Sequence, residues 1–224
     1  MMKIRQTVLA RSIRQVNAIY ALDYRPELIA RLRERYSFLK VPTTVDEIFG
    51  TDPSVGIRFQ HGKFVQDKKS FVVELLQFLI IPPAVNAIIC DTRTTTDDSD
   101  LVIDDYIKQA NQSRPDMITV SEPPRYASHL EFTMDKSLAD LCHAPVRGAA
   151  EAVDRLLANY GIKLPSYEPS QVAMTCDPTG IGGLLANPFT IERRAGFRYR
   201  ANVFFSQAPL RTRDHIEVLE RLTR

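Results

Sequence analysis

Five aspartates fall within nine residues, at Asp97, Asp98, Asp100, Asp104 and Asp105. Carboxylate oxygens at that density are the usual ligands of a hard cation such as magnesium. Their spacing does not suit a calcium-binding loop, which needs oxygen donors at alternate positions, glycine at the sixth and glutamate at the twelfth. Counted from Asp98, Val102 interrupts the donors and Ile103 replaces the glycine. Asp97 and Asp98 are instead expected to open a helix, where short acidic side chains cap free N–H groups and meet the favourable end of the helix dipole. No metal is assigned to the cluster.

The stretch Thr175-Cys176-Asp177-Pro178-Thr179-Gly180-Ile181-Gly182-Gly183 is the glycine-rich loop of the chain, and backbone amides in such loops can cradle phosphate. It lacks the Lys-Ser/Thr pair of a phosphate loop and the G-x-G-x-x-G order. It reads as an Asp-Pro-Thr-Gly turn followed by a surface loop ending at Asn187-Pro188, and no cofactor is expected. The histidines His61, His129, His143 and His215 are too dispersed for a local metal motif. Adjacent Cys142 and His143 cannot face one point on a helix. A site gathered in space from scattered Asp, His and Cys would make the protein a hydrolase or transferase; no residue pattern points to one, and no catalytic residue is assigned.

The C-terminal arginines form the more informative pattern. If Phe197 to Phe205 is a strand, alternation puts Phe197, Tyr199, Ala201, Val203 and Phe205 on a core face and Arg198, Arg200 and Asn202 on the other. Arg193 and Arg194 join that row across the Ala195-Gly196 turn. With Arg211 and Arg213 they make six cations able to follow a phosphate backbone or meet an acidic partner.

The elements that would carry these residues follow from periodicity. Ile4, Val8, Leu9, Ile13, Val16, Ile19 and Tyr20 recur at three and four, predicting an N-terminal helix. Pro26 and Glu27 open a second, with Leu28, Ile29, Leu32 and Tyr36 on one face. Thr43 or Thr44 caps a short helical turn through Glu47. Gly56 to Gln60 and Lys63 to Val65 read as a hairpin around His61-Gly62, and Phe71 to Ile80 and Val85 to Thr92 as two further strands. A helix then runs from Asp97 or Asp98 to about Ala110. The second half repeats the order: strand Ser128 to Met134, helix Val146 to Tyr160 capped by Gly161, strands near Gln171 to Cys176, Thr190 to Arg194 and Phe197 to Phe205, and a closing helix through Ile216, Leu219 and Leu222. This predicts an α+β protein of two small antiparallel units with helices on one face, in an order that suggests duplication. Pro115, Pro123 and Pro124 place a linker at 113–126, between units 1–112 and 127–224.

Charge bounds the partners. Across the 224 residues Lys and Arg exceed Asp and Glu by only two, too little for a generic polyanion binder. Residues 1–40 carry +6, residues 91–105 carry −5 and residues 191–224 carry +4, a segregation that suits self-association or a partner of mixed charge. Three cysteines without C-x-x-C spacing point to the cytoplasm. The most apolar stretch, Phe71 to Cys90, is broken by Glu74, Gln77, Asn86 and Pro82-Pro83, so no membrane span is expected. The expected function is a non-enzymatic interaction module, a subunit or adaptor working with a protein partner or a second copy. A nucleic-acid-associated protein using Arg193, Arg194, Arg198, Arg200, Arg211 and Arg213 is the alternative.

Overall fold

The computed structural model describes residues 1–18, 25–52, 54–81, 84–113, 115–142, 144–160, 167–175 and 187–223. The chain is α+β with antiparallel strand pairing, and its contacts divide it into two compact units.

The first unit is Thr7–Ser128 with Leu210–Arg213. It contains most of β1 (Lys3–Ala18), then α1 (Arg25–Tyr36), α2 (Val45–Phe49), β2 (Ile57–Gln66), β3 (Lys69–Ile81), β4 (Ala84–Thr92), α3 (Thr96–Ser113) and β5 (Thr119–Val120). The strands lie in the order β2-β3-β4-β1, and β5 pairs with β1. Leu28, Leu32 and Tyr36 of α1 and Val102, Ile103 and Tyr106 of α3 pack with the inward side chains Phe59, Phe64, Leu76, Phe78 and Ile88. Both helices therefore cover the same face of the sheet. The Phe78 ring lies 4.9 Å from that of Tyr106 and 6.1 Å from that of Phe59. Each buried ring of this kind stabilises the fold by roughly 1.5–3 kcal/mol.

The second unit is Met1–Gln6, His129–Pro209 and Asp214–Arg224. It holds the end of β6 (Arg125–Thr133), α4 (Leu138–Leu141), α5 (Ala144–Asn159), β7 (Gln171–Met174), β8 (Phe189–Arg193), β9 (Val203–Ala208) and most of α6 (Thr212–Thr223). Its strands lie in the order β6-β9-β8-β7. Leu130, Phe132, Leu138, Ile191, Phe204 and Leu219 form its core. Each unit runs strand, two helices, three strands, helix, with the first strand placed beside the fourth, and the first unit adds β5 after its last helix.

Three expectations are corrected. The N-terminal helix is instead the strand β1. Its inward positions are Ala10, Ser12, Arg14, Val16 and Ala18, and because two of them are polar while Leu9 and Ile13 sit on the opposite face, the alternation is hidden and a helical spacing shows through. Second, β2 does not turn at His61-Gly62; it runs on to Gln66, with His61 in the left-handed region at φ 55° and Phe38 packed where a Gly62 side chain would lie. Third, Phe197 to Phe205 is not one strand. Tyr199–Ala201 is a 3-10 turn closed by Asn202 at φ 47°, and β9 begins only at Val203.

Candidate functional site

The aspartates are consumed by internal partners. Thr95, not Asp97 or Asp98, caps α3: its Oγ1 accepts from the Asp98 N–H at 3.1 Å and donates to Asp98 Oδ2 at 2.9 Å. Lys69 Nζ lies 3.1 Å from the same carboxylate. Asp100 is buried. It accepts from Ser12 Oγ, from Tyr126 Oη at 2.9 Å and from Arg14 Nη2 at 2.8 Å. Asp105 accepts from Arg35 at 3.0 and 3.1 Å, from Tyr36 Oη at 2.7 Å and from Gln109 at 2.9 Å. Burial pushes the Asp105 carboxyl up, but those hydrogen bonds outweigh it and hold it below the ordinary carboxylate value. Among the described residues no cluster of His, Cys, Asp and Glu is placed to hold a metal ion.

These contacts also account for the segregated charge. Arg11 pairs with Asp91 through two bonds of 2.7 Å, Arg14 with Asp100 and Arg35 with Asp105. The basic head and the acidic belt thus neutralise one another inside the first unit, so charge segregation does not itself require a partner.

One pair in the second unit has the residue types of a nucleophilic site. Ser206 Oγ lies 2.8 Å from His215 Nε2, and both residues are fully buried. Ser206 Oγ donates its proton to the Thr190 carbonyl at 2.7 Å, so His215 Nε2 must supply the hydrogen of the Ser–His contact. That polarity is opposite to a histidine base activating a serine. The contact locks α6 to β8 and β9. Burial pushes the Cys90 thiol up, away from the thiolate a nucleophile needs. His143, Cys176 and residues 176–186 of the glycine-rich loop lie outside the described residues.

The six arginines are dispersed in role. Arg193 is a staple of the β8–β9 connection: it pairs with Glu168, donates to the Pro169 carbonyl at 3.4 Å and the Tyr199 carbonyl at 3.2 Å, and lies 4.0 Å from the Tyr199 ring centre. Arg194 Nε bonds Glu131 at 3.1 Å, a carboxylate it shares with Arg5 at 2.9 Å. Arg211 reaches Asp97 at 3.2 Å and Tyr126 Oη at 2.7 Å. Arg213 lies exposed in the first turn of α6. Arg198 and Arg200 are exposed at the tip and have no ion-pair partner among the described residues. Phe197 and Tyr199, expected in the core, are 43% and 48% exposed beside them, with the Arg5 guanidinium 5.2 Å from the Phe197 ring centre. The 3-10 turn breaks the alternation that would have sent the rings inward.

Periodicity identified the apolar stripe of α5 but not its exposure. None of the 16 residues of α5 is buried. Val146, Val153 and Leu156 are 48%, 38% and 51% exposed, and Tyr160 just beyond it 71%. An amphipathic helix ordinarily lays such a stripe on a core.

No helix among the described residues is long and apolar enough to cross a membrane. The chain matches no protein-family model and no curated protein.

Proposed function

We propose that this protein is a non-enzymatic interaction module, a subunit or adaptor that meets a protein partner or a second copy of itself through α5. The uncovered apolar side of α5 carries the reading, because exposed apolar residues in contiguity mark contact surfaces. The engagement of the carboxylates by internal cations and hydroxyls supports it, as does the reversed polarity of the Ser206–His215 contact. Free thiols at Cys90 and Cys142 suit a reducing compartment, the cytoplasm. Sedimentation at micromolar concentration tests the reading: wild type associates, and Val153→Asp with Leu156→Asp returns it to monomer with an unchanged circular dichroism spectrum. A wild-type monomer with no co-purifying protein refutes it.

A second reading rests on Arg198 and Arg200, which flank exposed aromatic rings at the β8–β9 tip. In a nucleic-acid-binding protein, replacing both by Ala lowers the slope of log affinity against log salt by about 1.8 on duplex DNA or about 1.4 on a single strand. An unchanged slope, or no binding by wild type, removes this reading.

A further inference from the structure

The first unit has a cleft of about 500 Å3 beside β2, within the range of ligand-binding clefts. Its shape follows from one proline. Before β2 the chain runs extended, and Lys40 pairs antiparallel with Gln60: Lys40 N–H donates to the Gln60 carbonyl at 3.2 Å, and Gln60 N–H to the Lys40 carbonyl at 2.9 Å. Continued at this register, the next outward position on β2 is Arg58, opposite Pro42. Proline has no N–H to donate, and the pairing stops there. Strand alternation turns the Arg58 N–H and carbonyl to the same side as those of Gln60, toward the cleft. Neither makes a backbone hydrogen bond on that side among the described residues.

The side chains at the opening are chemically selective. Arg58 and Lys40 are exposed and form no salt bridge among the described residues, although the Arg58 charge contributes to holding the Asp52 carboxyl below its ordinary value. Cross-strand neighbours share a face, so Lys40 stands with Gln60 and Arg58. Glu47 also lines the cleft, but its carboxylate accepts from the Thr43 N–H at 2.9 Å, the Thr44 N–H at 3.1 Å and Thr43 Oγ1 at 3.2 Å. These bonds hold it below the ordinary carboxylate value. Val41 and Val55 supply the apolar lining.

We propose that the β2 edge at Arg58 binds an extended acidic peptide of a protein partner, which bonds the Arg58 N–H and carbonyl where Pro42 releases the edge. The peptide alternates, with carboxylates toward Arg58 and Lys40 and apolar side chains toward Val41 and Val55. Backbone bonds to an open edge supply affinity and alternate side chains supply specificity. The proposal rests on the interaction-module reading and names the partner's chemistry at a site separate from α5.

The test uses the full chain and a fluorescein-labelled peptide of alternating Glu and Val. Anisotropy should show saturable binding, with Arg58→Glu and Lys40→Glu each weakening it at least tenfold and a Lys-Val peptide binding no better than those variants. Amide exchange at Arg58 should slow when the peptide is added, and replacing the peptide's central residue by proline should abolish that protection. No binding by the Glu-Val peptide, or binding insensitive to both charge reversals, overturns the proposal. So does equal competition by inorganic phosphate with Arg58 exchange unchanged, which identifies a small-anion site. Both substitutions are at exposed positions of the first unit and neither is a residue of α5, so sedimentation tests the broader reading independently of the peptide result.

Discussion

Asp100→Ala separates a structural aspartate cluster from a metal-binding one. The Asp100 and Arg14 side chains are only 12% and 10% exposed, with 2.8 Å between their charged atoms. Removing the carboxylate leaves the Arg14 guanidinium buried with Ser12 Oγ at 3.2 Å and Asp104 at 3.8 Å. Asp104 is 63% exposed, so water screens most of its attraction. Breaking one side of a buried pair costs about 3–5 kcal/mol, and that is the loss expected for Asp100→Ala. Arg14→Met should cost less, about 1.5–3 kcal/mol, because Asp100 keeps Ser12 and Tyr126 and has Arg211 at 3.9 Å. The double variant should then lose less than the sum of the two, by about 0.5–3 kcal/mol. Urea unfolding followed by circular dichroism measures the total, and native-state amide exchange along α3 assigns the loss to the first unit. Strict additivity, or a single-variant cost below about 1 kcal/mol as at an exposed pair, refutes this reasoning. So does a midpoint for wild type that rises with magnesium and no longer does so in Asp100→Ala.

Three further outcomes follow from the same contacts. Asp105→Asn should cost about 1.5–3 kcal/mol at neutral pH. Because the folded-state value of Asp105 is depressed, its stabilisation is present above the unfolded carboxylate range and lost as pH falls through the lower folded value; the difference between wild type and variant should therefore shrink on acidification, and a constant difference speaks against it. Phe197→Ala should cost no more than about 1 kcal/mol, the scale of an exposed cation–π contact, whereas Phe204→Ala, fully buried, should cost about 3–5 kcal/mol; equal losses in thermal melts contradict the turn geometry. Limited proteolysis tests the proline-based linker: first cleavage within 113–126 supports it, and protection there, as the pairing of β5 with β1 would give, counts against it.

Local chemistry was legible in the amino-acid order. Pro26 and the spacing of Leu28, Leu32 and Tyr36 identify α1, the Thr44–Glu47 capping box opens α2, and the Val, Ile and Phe runs at 69–81 and 84–92 form β3 and β4. Each signal acts over one turn or one strand, so sequence neighbours suffice to define it. The charge zones were legible too, but not their purpose. Arg11 meets Asp91 across 80 residues because β1 lies beside β4, a pairing that depends on the register of the whole sheet. For the same reason the pattern of β1 conceals a strand: Ser12 and Arg14 face inward only because Asp100 and Tyr126 wait there to satisfy them, and no hydrophobic pattern records a buried polar partner. The β8–β9 tip failed differently. Residues from Phe197 onward alternate as a strand would, yet Arg193 holds the Tyr199 carbonyl and stacks on its ring, and the backbone coils into a 3-10 turn that exposes both aromatics. The open edge at Arg58 lies between these cases: Pro42 is visible in the sequence, but only the pairing of Lys40 with Gln60 puts it opposite Arg58.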